Sequence, residues 1–250
     1  MARLGSYSQT ANPAWSNKAF QSGDYIANRM TLQGTVNRTM FLFLALLITA
    51  LFTWNQYFNG NTSTVTGLLI LGLIAGFILA LITIFVPKAS PFTSIPYALA
   101  EGLVLGGISA MYESQYYGIT MQAAMLTFGV LLFMLLLYKT GLIKVTKKFR
   151  IGVLCATGAI LLAYLATFIM RLFGMHDVLY LHNSGPIGIL ISVGIVIVAA
   201  LNLALDFDLI ERGVKRQAPK YMEWYGAFGL MVTLVWLYLE ILRLIAKLRR

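Results

Sequence analysis

Seven stretches of the chain run almost without charge: 39–58, 66–86, 92–112, 118–138, 151–172, 185–208 and 224–246. Crossing the hydrocarbon of a bilayer takes about 20 mainly apolar residues in a helix. The runs are continuous rather than alternating, which predicts helices and not the strands of a membrane barrel. Lipid offers a bare backbone no hydrogen-bond partner, so each run is expected to close its own ladder as a helix. The polar connections are short, and neither a tandem repeat nor a low-complexity segment interrupts them. The pattern therefore predicts an all-α seven-helix bundle over residues 39–250, preceded by a polar arm over residues 1–38. The first apolar run starts near Met40, too late and too long for a cleaved signal, so it is expected to remain as a span.

Composition agrees with this pattern. Of the 250 residues, 59% are hydrophobic and 11% charged, against roughly 25% charged in soluble domains. The net charge of +10 would suit nucleic acid, but the basic residues sit in connections and build no polar domain, so that class is set aside. With the N-terminus inside, 14 of the 19 basic residues fall in cytoplasmic segments, and the outer connections hold only Arg171. This bias predicts a cytoplasmic arm. Arg243, Lys247, Arg249 and Arg250 oppose it: either the last segment crosses against the bias or it turns back, and seven full spans are expected. The single cysteine, Cys155, has no disulfide partner and is expected to pack in its helix. Gly72 with Gly76, and Gly102 with Gly106 and Ala110, recur at spacing four and allow close helix contact.

Carboxylates inside the apolar runs carry the chemistry. Of nine acids, Asp24, Glu113, Asp177, Glu211 and Glu223 fall in loops or near interfaces. Glu101, Asp206, Asp208 and Glu240 fall within apolar runs or at their edges. A charge at mid-bilayer costs about 2.5–3.5 kcal/mol on insertion scales, and such residues mark ion or proton paths. In LNLALDFDLIERG, Asp206 and Asp208 are about 200° apart around the helix and cannot share a face. Asp208 lies near the cytoplasmic end and is expected at the interface. Asp206 is deeper, with Asn202 one turn above it on the same face. Glu101 lies roughly 13 Å into the third helix, at a depth similar to Asp206. The two are expected to form an acidic pair that holds a proton and titrates as a unit. Deprotonated, such a pair offers oxygen ligands to a hard cation. Glu240 lies towards the outer side with Arg243 three residues on, where the two can pair, either as an interfacial ion pair or as part of an outer gate.

Enzyme signatures are missing: the chain has no His-Glu-x-x-His, no Gly-x-Ser-x-Gly and no Walker loop. Non-enzymatic function is expected, with no cofactor beyond a transported or bound calcium ion. His176 and His182 flank Asp177 in the fifth connection, which is thin support for a metal. The basic fourth connection, KTGLIKVTKKFR, suits anionic lipid headgroups, though its topological role already accounts for it.

The segment LDFDLIERG, followed by a basic loop and YMEWYGAFGLMVTLVWLYLEILRLIAKL, resembles the last two helices of the Bax inhibitor-1 family, including its bacterial YccA-like branch. AEGLVLGGIS resembles that family's third-helix Gly-Leu-x-Leu element. The resemblance covers about residues 35–246 and is best in the final third. It implies a seven-helix bundle with the last helix central, in a bacterial inner membrane. It also implies either a pH-sensitive calcium leak or a regulator that binds another membrane protein, such as a quality-control protease. In leak-channel members an aspartate near the end of helix six pairs with one in helix seven. Asp206 matches the first. One alignment places Thr233 at the second position, and another, matching LYLE, selects Glu240.

Overall fold

The computed structural model describes residues 29–174 and 185–249. Those residues form seven long helices: α1 (Leu32–Phe58), α2 (Thr62–Phe85), α3 (Ser90–Gln115), α4 (Ile119–Lys139), α5 (Lys147–Leu172), α6 (Pro186–Lys215) and α7 (Met222–Leu248). A single 3₁₀ turn, Pro87–Ala89, leads into α3. All seven are long and apolar enough to cross a membrane. Asp24, His176, Asp177 and His182 lie outside the described residues.

Most ends fall within a few residues of those expected, but α1 starts seven residues before the predicted 39. The reason is a cap. The Thr31 hydroxyl accepts from the Gly34 N–H at 2.9 Å, satisfying one of the free donors at a helix start. Arg38 is therefore a helical residue and not part of a polar arm.

α7 is the central helix, packing against α1, α3, α4 and α6. Its two faces support separate cores. Ala227, Phe228, Met231 and Val235 close on Leu42 and Leu46 of α1 and Tyr97 and Leu105 of α3. Leu234, Leu237, Ile241 and Leu242 close on Ile119 and Ala123 of α4 and Ala199 and Leu203 of α6. Close approach of α1 and α3 depends on glycine: a Cβ on Gly106 would run into the backbone of Ala50. α5 is the least buried helix and packs chiefly on α6. Its Cys155 is exposed, which corrects the expectation of a packed thiol: on a peripheral membrane helix an apolar position faces lipid as readily as protein.

The termini of α7 settle whether it crosses. Near its start, the Ser90 hydroxyl donates to the Tyr221 carbonyl at 3.0 Å, and Met30 N–H donates to the Ala218 carbonyl at 2.7 Å. At its end, Arg249 donates to the Tyr117 carbonyl at 2.9 Å and to Gln122 at 2.7 Å. α7 therefore runs from the end of the bundle that holds the starts of α1 and α3 to the end that holds the α3–α4 turn. The basic connections gather at the first of these ends. Of the C-terminal cations that opposed the charge bias, the three among the described residues are engaged by protein. Arg243 pairs with Glu240, Lys247 donates to the Gly188 carbonyl and the Ser192 hydroxyl, and Arg249 is held as described.

Candidate functional site

Helix α6 distributes its polar residues among three neighbours. Asn202 points to α5, where its amide donates to the Thr157 hydroxyl at 2.8 Å. Asp208 is neutralised: Arg150 of α5 and Arg212 approach its Oδ2 at 2.9 and 2.6 Å. Glu211 accepts from the Tyr138 hydroxyl of α4 and pairs with Lys215. Asp206 turns to α7, where the Thr233 hydroxyl is its neighbour. That hydroxyl also lies 3.3 Å from the Gly229 carbonyl, and its single proton serves one acceptor at a time. The residue as a whole keeps some exposure, but its Oδ2 is sealed from solvent and no donor among the described residues reaches it. Asp206 stands about 14 Å along α6 from Lys215, well within the apolar part of the helix.

Glu101 does not meet Asp206, which corrects the expected acidic pair. Its carboxyl neighbours Tyr97, one turn earlier on α3, and its Oε2 lies 3.5 Å from where a Cβ on Gly76 of α2 would stand. Similar depth was legible in the sequence; azimuth was not. α7 packs against both α3 and α6 and separates their polar faces. A metal site from Glu101 and Asp206 is therefore not assembled. Among the described residues, no three histidine, cysteine or acidic side chains cluster as metal ligands. Asn202 and Asp206 share a helix face, as expected, yet serve different partners.

Glu240 is buried on α7 and fully satisfied. Its Oε1 accepts from the Tyr164 hydroxyl of α5 at 2.7 Å and from the Trp236 indole N–H at 3.2 Å. Arg243 Nη1 donates to both Glu240 oxygens at 3.1 Å and to the Tyr164 hydroxyl at 2.6 Å. Its guanidinium also sits 5.3 Å from the centre of the Tyr164 ring. A cleft of about 380 Å³ runs between α5 and α7, with Thr157, Tyr164, Trp236, Glu240 and Arg243 in its walls. A second cavity, of about 260 Å³, lies among α1, α3, α4 and α7. Its lining is almost wholly apolar, and its Ser109 and Tyr238 hydroxyls are bonded to each other at 2.7 Å, so it offers a cation nothing.

Glu223, expected near an interface, is wholly buried at the start of α7. It accepts from the N–H and hydroxyl of Thr31 at 3.0 and 2.9 Å and pairs with Arg38 at 2.9 Å. Arg38 in turn lies over the Trp224 ring, 4.9 Å from its centre. This lock joins residues 192 apart in the chain, a distance at which no local pattern reveals a partner.

Fold and site together define an integral membrane protein: a seven-helix bundle around a central last helix, with two sealed carboxyl oxygens outside the hydrogen bonds of the described residues, Glu223 Oε2, which faces Arg38, and Asp206 Oδ2, which pairs with no described cation. The chain belongs to the Bax inhibitor 1 like family, whose model it matches over residues 12–250. No curated protein and no solved structure matches it.

Proposed function

We propose that the protein is a slow, pH-sensitive cation leak, with calcium as the transported ion and Asp206 as the group whose protonation closes the path. The observation that carries this reading is the Asp206 carboxylate, whose Oδ2 is buried with no hydrogen-bond donor among the described residues, with the Thr233 hydroxyl as its neighbour. Desolvated charge is costly, and the other acids of α6 are paired or hydrogen-bonded. Ionised, Asp206 attracts a cation; protonated, it becomes a neutral hydrogen-bonding group and the attraction ends. Calcium holds 6–8 oxygens when tightly bound. Asp206 and Thr233 supply only a few, which suits passage of a partly hydrated ion better than storage. The basic end faces the cytoplasm in this reading, in keeping with the positive-inside bias.

The test is purified protein in liposomes loaded with a calcium dye. Asp206→Asn is expected to reduce calcium entry at pH 7 to the rate of protein-free vesicles, while Glu101→Gln retains most of the flux. Wild-type entry no faster than empty liposomes would overturn the leak. The competing function, modulation of a membrane protease, would then be taken up.

A further inference from the structure

The cleft between α5 and α7 shares one residue with the polar contacts of α6. Thr157 lines it, and the same hydroxyl accepts the Asn202 amide at 2.8 Å. Asn202 stands one turn from Asp206 on α6. At the other end of the cleft, Tyr164, Glu240 and Arg243 bond to one another across α5 and α7. Along their own helices, counted from the basic end, Thr157 stands at about 15 Å, Tyr164 at about 25 Å, Glu240 at about 27 Å and Arg243 at about 31 Å. Polar groups thus stand at both ends of the cleft, Tyr164, Glu240 and Arg243 near the far surface and Thr157 close to the level of Asp206, with Ile160, Leu161 and Leu239 between them, along a seam whose outer wall is the loosely packed α5. The cavity among α1, α3, α4 and α7 has no charged residue in its lining.

From this series we infer that the α5–α7 cleft is the outer half of the cation path and that the Tyr164–Glu240–Arg243 cluster is its outer gate. The inference rests on the leak assigned to Asp206 and extends it to the opposite surface. Closed, the Glu240 carboxylate is occupied by Arg243, Tyr164 and Trp236 and cannot attract an ion. Tyr164 is the strut: its hydroxyl donates to Glu240, accepts from Arg243, and so ties α5 to α7. Release of this strut lets α5 swing from the bundle, frees the Glu240 carboxylate to face the cleft, and opens the way to Thr157 and Asn202.

The experiment places a thiol in the cleft with Thr157→Cys in a Cys155→Ala background, reconstituted in liposomes. A membrane-impermeant, cationic thiol reagent is added from the side of the α3–α4 turn, and calcium flux is read in parallel. With the cluster intact, modification is expected to be slow. In Tyr164→Phe, which keeps the ion pair but removes the strut, it is expected to rise at least fivefold. In Glu240→Gln with Arg243→Gln it is expected to rise at least tenfold, and flux is expected to increase severalfold in both variants. Should the double variant not fold, Tyr164→Phe alone decides. Flux that is indifferent to Asp206→Asn defeats the leak itself. Flux that depends on Asp206, with thiol reactivity and rate unmoved by the gate variants, defeats the outer gate alone.

Discussion

Four carboxylates enter the apolar helices, and their neighbours give them different work. Asp208 and Glu240 each face arginine, so they act first as fasteners. Charge-assisted hydrogen bonds are worth about 1.5–3 kcal/mol each. Asp208→Asn is therefore expected to lower stability by about 2 kcal/mol, read from the denaturation midpoint in mild detergent. Asp206 has no such fastener, so Asp206→Asn is expected to leave that midpoint unchanged or raise it. A fall as large as that of Asp208→Asn would mean that Asp206 holds the fold together and is not poised for an ion. Sequence reasoning could mark these residues because apolar flanks make an acid conspicuous. It could not sort them, because Arg150 reaches Asp208 from another helix and Tyr164 reaches Glu240 from 76 residues away. It placed Glu101 beside Asp206 by depth alone, and the intervening α7 keeps them apart.

Among the helices, the seven spans were legible because an uninterrupted apolar run has few other ways to satisfy its backbone in lipid. The centrality of α7 was implied by family resemblance; its physical basis is an apolar surface on both faces, one for α1 and α3 and one for α4 and α6. Small residues at spacing four pointed correctly to a close contact. At Gly106 an added side chain meets the Ala50 backbone, which yields less easily than a side chain. Gly106→Leu is expected to cost about 1–3 kcal/mol, the usual penalty of overpacking, with loss of the monodisperse peak in size-exclusion chromatography. The Glu223 lock was invisible to pattern, since its ligands come from the start of α1. Removing one member of a buried pair costs about 3–5 kcal/mol. Because Arg38 keeps some contact with solvent, Glu223→Ala is expected near the lower end, about 3 kcal/mol. An unchanged midpoint would show that α1 and α7 are held by apolar packing alone.

At the scale of the whole molecule, three of the four C-terminal cations that run against the loop-charge bias are engaged by the bundle. Arg243 and Arg249 are spent on contacts with the bundle and are not free loop charges. The same contacts bear on the role of the N-terminal segment. Arg29 bridges Pro219, Met30 is buried and bonded to Ala218, and Thr31 caps α1, so a deletion that keeps these contacts must end before Arg29. That deletion is expected to retain calcium flux in liposomes, whereas a regulator working through this segment would lose its effect on a partner. The central claim is that ionisation of one carboxyl group on α6 admits the cation. Its most direct measurement is calcium entry into liposomes over a series of pH values, for the wild type and for Asp206→Asn. Protonation removes the attracting charge, so wild-type entry should fall as pH falls, while the asparagine variant should stay low and flat throughout. An asparagine variant that conducts like the wild type, with the same dependence on pH, would contradict the claim.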